Sequence, residues 1–219
     1  SLSVFDDSAG ATGGTSLVYG NQGYPIVAYY DLDDTGLKVA TCTSACTHPQ
    51  VTYWIDIGYG VATGQYPSIA LKSNGVPFIG HYYSSGGESR VADCIQPDCS
   101  WFNNGNNNNG IVTVDTDGMG VVAAGNAAGG PFIVYVQAYY VTPNTLRWAQ
   151  CSGQNATCSN WSFTDLDSLG TTWNAYPSVA VNNNGWPVIA YYDEGNGDLK
   201  VAACPSSSCN SGAATAIVD

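Results

Sequence analysis

The stretch of sequence that decides the fold is residues 176–204, YPSVAVNNNGWPVIAYYDEGNGDLKVAAC. Residues 66–94, YPSIALKSNGVPFIGHYYSSGGESRVADC, match it without a gap, and so do residues 16–42, SLVYGNQGYPIVAYYDLDDTGLKVATC. A fourth copy, with three extra residues in a turn, runs from Val121 to Cys151. The chain is therefore built from an internal repeat, and its fold follows from one copy.

Each copy predicts four short β-strands separated by turn residues. In the last copy the strands cover residues 178–181, 188–193, 199–203 and 214–218, and the turns contain Asn-Gly and Gly-Asn, which tolerate positive φ. No stretch keeps a helical apolar period for a dozen residues. The sequence therefore predicts an all-β fold, a four-bladed β-propeller of four-stranded antiparallel blades. An open or paired array of β-repeats is the alternative architecture.

The repeat predicts a single domain over residues 1–219, with one surplus strand. The copies cover approximately residues 16–56, 68–115, 121–167 and 178–219, and residues 1–7 add a fifth version of the fourth strand. This strand either joins the last blade, is the end of a longer array, or pairs with a neighbouring molecule. In the third case the assembly strands contain Val4, Phe5, Asp6, Ile217 and Val218.

The repeat resembles one found in many secreted bacterial proteins of the β-propeller type. The resemblance rests on the pattern PS-I/V-A-x-x-x-NG-x-P-x-I-A-YYD followed by L-K-x-A-x-C, and it covers nearly the whole chain. It implies a propeller architecture but no particular function, because propellers include lectins, enzymes, inhibitors and scaffolds.

Eight cysteines occur as four close pairs, one in each copy: Cys42/Cys46, Cys94/Cys99, Cys151/Cys158 and Cys204/Cys209. Their even number and regular placement predict a disulfide in each blade, and therefore a secreted, extracellular or cell-surface protein. Zinc binding is the alternative, but the Cys-x2-Cys spacing typical of zinc sites is absent. Asn155 and Asn160 begin glycosylation sequons, which fits the same location.

Charge excludes several classes of partner. The chain has 5 Lys and Arg against 17 Asp and Glu, a formal net charge of −12. Such a chain has too few cations to bind nucleic-acid backbones or anionic lipid, and no apolar run is long enough for a membrane span. Four of the five cations, Lys38, Arg90, Arg147 and Lys200, share one repeat position, where we expect them to pair with carboxylates or cover apolar surface.

Two kinds of ligand site are candidates. Acidic hairpins in the first and last copies have the oxygen-rich, glycine-bearing composition that calcium prefers, and their ligands would be Asp31, Asp33, Asp34, Asp193, Glu194 and Asp198. Repeated aromatic residues are candidate sugar contacts, with packing between blades as the alternative; these residues are Tyr30, Tyr82, Tyr192 and Trp186.

No nucleophile elbow or phosphate-binding loop is present, and repeated aspartates such as Asp115 and Asp167 at strand ends are typical of turn caps. The sequence alone therefore favours a non-enzymatic, extracellular structural or adhesive module that self-assembles into fibres by terminal-strand donation. A carbohydrate-binding, lectin-like propeller with extracellular glycans as partners is the first alternative. A glycan-active enzyme, which needs two carboxyl groups, is the second.

Overall fold

The computed structural model describes residues 14–42, 51–56, 60–100, 110–138, 143–152, 158 and 160–219. In these ranges the chain forms four antiparallel sheets of four strands, and each sheet keeps the strands in chain order. The predicted all-β fold and the division into four four-stranded units are therefore confirmed. Across the same ranges, no helix has the length and apolar character needed to cross a bilayer.

The four sheets correspond to the four sequence copies. Sheet 1 contains β1 (Thr15–Tyr19), β2 (Pro25–Asp31), β3 (Gly36–Thr41) and β4 (Val51–Asp56). Sheet 2 contains β5 (Thr63–Leu71), β6 (Pro77–Tyr83), β7 (Glu88–Asp93) and β8 (Ile111–Asp115). Sheet 3 contains β9 (Gly118–Ala127), β10 (Gly130–Gln137), β11 (Asn144–Cys151) and β12 (Trp161–Gly170). Sheet 4 contains β13 (Ser178–Val181), β14 (Pro187–Asp193), β15 (Asp198–Ala203) and β16 (Ala214–Ile217).

A glycine two residues before the repeat proline forms the turn between the first two strands. Gly23, Gly75 and Gly185 have φ of 76°, 79° and 76°, values that residues with a Cβ rarely adopt. In sheet 4 the side chain of Asn182 completes this turn, because its Oδ1 accepts hydrogen bonds from the backbone N–H groups of Asn184 and Trp186. The Asn-Gly turns predicted from the sequence are therefore formed.

Consecutive sheets pack face to face through three apolar clusters. Successive side chains on a strand point to opposite faces, so one strand serves two interfaces. Ile79 of β6 belongs to the cluster between sheets 1 and 2, whereas its neighbour Phe78 belongs to the cluster between sheets 2 and 3. In the cluster between sheets 3 and 4, two residues of sheet 3 stack on each other: the ring centroids of Phe132 and Trp148 are 3.9 Å apart. Burying such aromatic residues dominates the stability of the core.

Aspartates at the ends of fourth strands bind the next sheet. Oδ2 of Asp115 accepts hydrogen bonds from Tyr135 (2.6 Å) and Arg147 (3.2 Å) of sheet 3. In the same way, Oδ2 of Asp167 accepts bonds from Tyr191 (2.6 Å) and Lys200 (3.0 Å) of sheet 4. Oδ1 of Asp115 accepts a bond from the N–H of Asp117 in the following turn, so Asp115 is a turn cap and an inter-sheet link at once. Oδ1 of Asp167 accepts a bond from Ser168 inside β12, so Asp167 links the sheets but does not cap a turn.

Disulfides close the turn between the third and fourth strands. Cys94–Cys99, Cys151–Cys158 and Cys204–Cys209 are bonded as predicted, which indicates an oxidising compartment. Cys42 is disulfide-bonded, and its predicted partner Cys46 lies outside the described residues.

Of the assembly strands, Val4, Phe5 and Asp6 lie outside the described residues. Ile217 ends β16, the outermost strand of sheet 4, and both Ile217 and Val218 are exposed.

Candidate functional site

Equivalent residues of all four copies occur where the chain enters the first strand of each sheet. Eleven positions before the repeat proline stand Gly14, Tyr66, Gly120 and Tyr176, and all four have positive φ. A Cβ added to Gly14 would lie 3.9 Å from the Cα of Tyr66, so the copies of sheets 1 and 2 are in contact. The other three line one pocket together.

This pocket has an aromatic lining with two amides. Its volume is about 110 Å³, and residues from sheet 2, sheet 3 and the connection between β12 and β13 surround it. Three of its aromatic side chains are well exposed: Tyr66 at 40%, Trp173 at 51% and Tyr176 at 60%. The remaining lining residues are Gln65, Tyr82, Gly120, Asn174 and Ala175. Hereafter this site is called the tyrosine–tryptophan pocket.

Hydrogen bonds between first strands help to position the pocket. The Oγ of Ser16 in β1 accepts a bond from the backbone N–H of Ile69 in β5 (3.1 Å). The Oγ of Ser68 accepts one from the N–H of Ala124 in β9 (2.9 Å). Serines at one repeat position thus tie β1 to β5 and β5 to β9, and Ser68 lies only two residues after Tyr66.

Two tyrosines of the pocket occupy strained backbone positions. Tyr66 has φ of 50° and Tyr176 has φ of 44°, whereas sheets 1 and 3 use glycine at the same position. A non-glycine residue in this region costs about 1–2 kcal/mol. Such strain is concentrated at functional sites, where a particular side chain is needed in spite of its cost.

The polar groups of the pocket are neutral hydrogen-bonding groups. Burial raises the pKa of the Tyr82 phenol, and the nearby Tyr66 adds to the effect, so Tyr82 keeps its proton. The Tyr30 phenol, hydrogen-bonded to Gln65, has a pKa that burial also raises. Asn174 donates a hydrogen bond to the exposed Glu194 carboxylate (3.2 Å), which places one acidic group beside the pocket.

The structure brings only part of the predicted aromatic set together. Tyr82 lines the pocket and Tyr30 is buried behind it, bonded to Gln65. Tyr192 is exposed, and its backbone N–H binds the carbonyl of Ala175 (2.8 Å), next to the pocket. Trp186 lies in the β13–β14 turn, at the other end of β13 from Tyr176 and outside this pocket, and sugar contact by Trp186 stays a prediction.

Sequence reasoning missed Tyr66, Trp173 and Tyr176. A signal was present, because the second and fourth copies begin Tyr-Pro-Ser where the first and third have glycine. A tyrosine that alternates with glycine at one repeat position indicates a role outside the shared framework. Trp173 has no such signal, since it lies in the connection between β12 and β13.

The predicted calcium ligands are used in ion pairs instead. Asp31 and Asp34 contact Lys38, and Asp193 lies 2.6 Å from the ammonium of Lys200. In the described part of the chain, no group of three or more His, Cys, Asp or Glu side chains is arranged to hold a metal ion. Neutralisation by lysine removes the negative charge that would attract calcium. Asp33 is exposed, Asp198 is half-buried, and Glu194 binds Asn174.

The first inter-sheet junction has a histidine where the others have tyrosine. His81 Nε2 lies 3.0 Å from Asp56 Oδ2, which also accepts bonds from Thr63 (2.6 Å) and Arg90 (3.3 Å). Burial opposes ionisation of Asp56, but these partners outweigh it and lower its pKa to about 2. Burial, with the Asp115 and Asp167 charges, raises the pKa values of Tyr135 and Tyr191. Tyr135 and Tyr191 therefore keep the protons that they donate to Asp115 and Asp167.

One of the two predicted glycosylation sites lies among the described residues. Asn160 is exposed immediately before β12, an accessible position, and its glycosylation stays a prediction. Asn155 lies outside the described residues.

The fold resembles solved structures with propeller-like folds, at low sequence identity. A protein of unknown function from Dyadobacter fermentans superimposes with a TM-score of 0.61 at 13% identity, over 80% of this chain and 48% of its own. An intramolecular trans-sialidase from Ruminococcus gnavus gives 0.55 at 13% identity, over 81% and 38%. An alpha-L-arabinofuranosidase from Clostridium thermocellum gives 0.51 at 12% identity, over 87% and 67%. Neither a protein-family model nor a curated protein sequence matches the chain.

These likenesses correct the functional expectation drawn from the sequence. The chain spans about half the length of the Dyadobacter protein and less of the trans-sialidase, so the likeness concerns the shared fold. Glycan-processing enzymes are prominent among the proteins with this fold. The expectations of a non-enzymatic structural or adhesive module, and of a protein that is not an enzyme, are therefore wrong. The fibre-forming role was part of the same expectation and is not retained.

Proposed function

We propose that this protein is a glycan-active enzyme on a closed four-bladed β-propeller, and that it holds a sugar in the tyrosine–tryptophan pocket. The closed ring is supported by the shared pocket lining: Tyr66 of sheet 2 and Gly120 of sheet 3 line it together with Tyr176, which lies two residues before the first strand of sheet 4. Sheet 2 and the segment that enters sheet 4 are not neighbours in the chain, so a pocket common to both fits a ring axis.

The pocket lining is the observation that carries the proposal. Aromatic faces suit the apolar faces of sugar rings, while amides and phenols bind hydroxyl groups. Tyr66, Trp173 and Tyr176 supply exposed rings, and Gln65 and Asn174 supply amides. The backbone strain at the two tyrosines is a second argument, because a framework role would be served by glycine, as in sheets 1 and 3.

Glu194 is our candidate for the acid–base group. Hydrolysis breaks the bond between C1 and the glycosidic oxygen, and the leaving oxygen takes a proton from a carboxyl group. The hydroxyl of water is added at C1, and the remaining proton of that water returns to the carboxylate. The carboxyl group of Glu194 is exposed and is hydrogen-bonded to Asn174 of the pocket. In contrast, Asp56, Asp115 and Asp167 are engaged in inter-sheet ion pairs. We assign the proton-donating role to Glu194.

A direct test is incubation of the full chain with a panel of neutral and acidic oligosaccharides, followed by chromatography of released sugars. We expect release of a monosaccharide, at least about tenfold slower in Tyr176→Gly and in Glu194→Gln. Tyr19→Ala is the matched control, because Tyr19 is an exposed tyrosine (66%) at the far end of β1. Absence of both release and binding across the panel would overturn the proposal.

Sugar binding can be tested apart from catalysis. Binding that is lost in Tyr176→Gly, with no release of product by the unmodified chain, would confirm the sugar site and overturn the enzymatic part of the proposal.

A further inference from the structure

We infer that the pocket takes a single uncharged sugar unit and excludes acidic sugars such as uronates and sialates. This inference rests on the proposed function and names its substrate class. Four features of the molecule support it: the pairing of its cations with carboxylates, the uncharged lining of the pocket, the carboxylate beside the pocket and the pocket's size.

Every cation in the sequence is bonded to a carboxylate. The chain has five Lys and Arg residues, and all of them are described. Four are the repeat-position cations, which bind aspartates within and between sheets, and the fifth is buried against β7. The pairs are Lys38 with Asp31 and Asp34, Lys72 with Asp93, Arg90 with Asp56 and Glu88, Arg147 with Asp115 and Asp165, and Lys200 with Asp167 and Asp193.

Releasing one of these cations to bind a ligand would be costly. Lys72 and Asp93 have side chains only 5% and 2% exposed, and breaking such a pair leaves an uncompensated buried charge. Arg147 is held by two aspartates, and its bond and attraction to Asp165 outweigh burial and raise its pKa. An anionic ligand therefore has to be bound without a free cationic partner.

The lining of the pocket is itself uncharged, and an anion stands beside it. Its polar side chains are the amides of Gln65 and Asn174 and the phenols of its tyrosines. The carboxylate of Glu194, bonded to Asn174, would repel a ligand carboxylate. The formal net charge of −12 acts in the same direction over longer distances. A sugar carboxylate would lose hydration here with no compensating ion pair.

Pocket size limits the ligand to one unit. The volume is about 110 Å³, below the roughly 300 Å³ at which pockets for drug-sized ligands begin. Exposed Trp173 and Tyr176 stand at its mouth, where they can contact whatever is attached to that unit. We therefore expect recognition of one terminal sugar.

The test compares sugars that differ only at C6, where one has a hydroxymethyl group and the other a carboxylate. Methyl galactoside and methyl galacturonide, and the corresponding glucose pair, are titrated into the full chain by calorimetry. We expect the neutral member of a pair to bind at least about tenfold more tightly than its acidic partner, with little dependence on salt. Equal or tighter binding of the acidic member would overturn the inference while leaving the proposed function standing. Absence of binding by all four sugars would overturn the proposed function, and the inference with it.

A charge-reversal variant separates electrostatic exclusion from poor fit. Glu194→Lys places a cation beside Asn174, so the ratio of neutral to acidic sugar affinity should fall about tenfold or more. Tyr176→Gly should instead weaken both members of a pair alike, since it removes ring contact and no charge. An unchanged preference in Glu194→Lys would overturn the electrostatic basis of the inference.

Discussion

Tyr66 and Tyr176 come from equivalent positions of the second and fourth repeat copies and line the same pocket, both with positive φ. They lie 110 residues apart in the chain. The same position is glycine in the other two copies, Gly14 and Gly120. Two of the four copies thus have a glycine at this position and avoid backbone strain, and the other two have an aromatic ring there.

Replacing either tyrosine by glycine should separate stability from function. Tyr66→Gly and Tyr176→Gly relieve about 1–2 kcal/mol of backbone strain but increase the entropy of the unfolded chain. We expect the free energy of unfolding to stay within about 1 kcal/mol of the unmodified value, while sugar binding is lost. Urea unfolding and calorimetric titration measure the two effects. A large loss of stability would show that these tyrosines serve the framework.

The tyrosine at an inter-sheet junction should contribute more to stability than its neighbour. Tyr191→Phe removes the 2.6 Å hydrogen bond to Asp167, and bonds to charged groups contribute about 1.5–3 kcal/mol. Tyr192→Phe is the control, since this adjacent tyrosine is exposed and should change stability by less than about 0.5 kcal/mol. Chemical denaturation of both variants compares them. Equal effects would contradict a linking role for Tyr191.

Acid should weaken the junction between sheets 1 and 2. The pKa of Asp56 is about 2 in the folded protein, below the usual value of 3.8, so its ionised form stabilises the fold above that usual value. This stabilisation is lost as the pH falls through about 2. Asp56→Asn should lower stability at neutral pH and flatten the acid limb of a plot of unfolding free energy against pH. An unchanged acid limb in the variant would contradict this assignment.

Gly64 should tolerate substitution far less than Gly60. Both have positive φ, 86° and 89°, so an alanine is strained at either position. At Gly64 the added Cβ would also lie 2.5 Å from the backbone nitrogen of Leu37 in sheet 1, whereas at Gly60 it meets nothing within 4 Å. We expect Gly60→Ala to cost about 1–2 kcal/mol and Gly64→Ala clearly more, measured by thermal unfolding. Similar costs would argue against close packing of sheets 1 and 2 at this point.

The strands and turns were largely predictable because they depend on short spacings. The four strands of the last copy were placed within one residue of their observed ends, and Asn-Gly turns were formed where expected. Cysteines five or seven residues apart across a tight turn can reach one another with little help from the rest of the fold, and three such pairs are bonded. The pairing of the repeat-position cations with carboxylates is likewise confirmed.

The site was predictable only in part. The search for aromatic sugar contacts indicated Tyr82, which lines the pocket, but also Trp186, which lies in the β13–β14 turn, at the other end of β13 from Tyr176. A repeat shows which residues are equivalent, and it does not show which copies meet in space.

The sequence by itself therefore determined the strand meander, its turns and its disulfides, because those features follow from alternation and spacing over a few residues. Tertiary structure alone decided that Asp167 reaches Tyr191 across a sheet boundary and that Tyr66 meets Tyr176 in one pocket. Those contacts depend on how whole sheets pack face to face, and the buried apolar clusters between sheets set that packing.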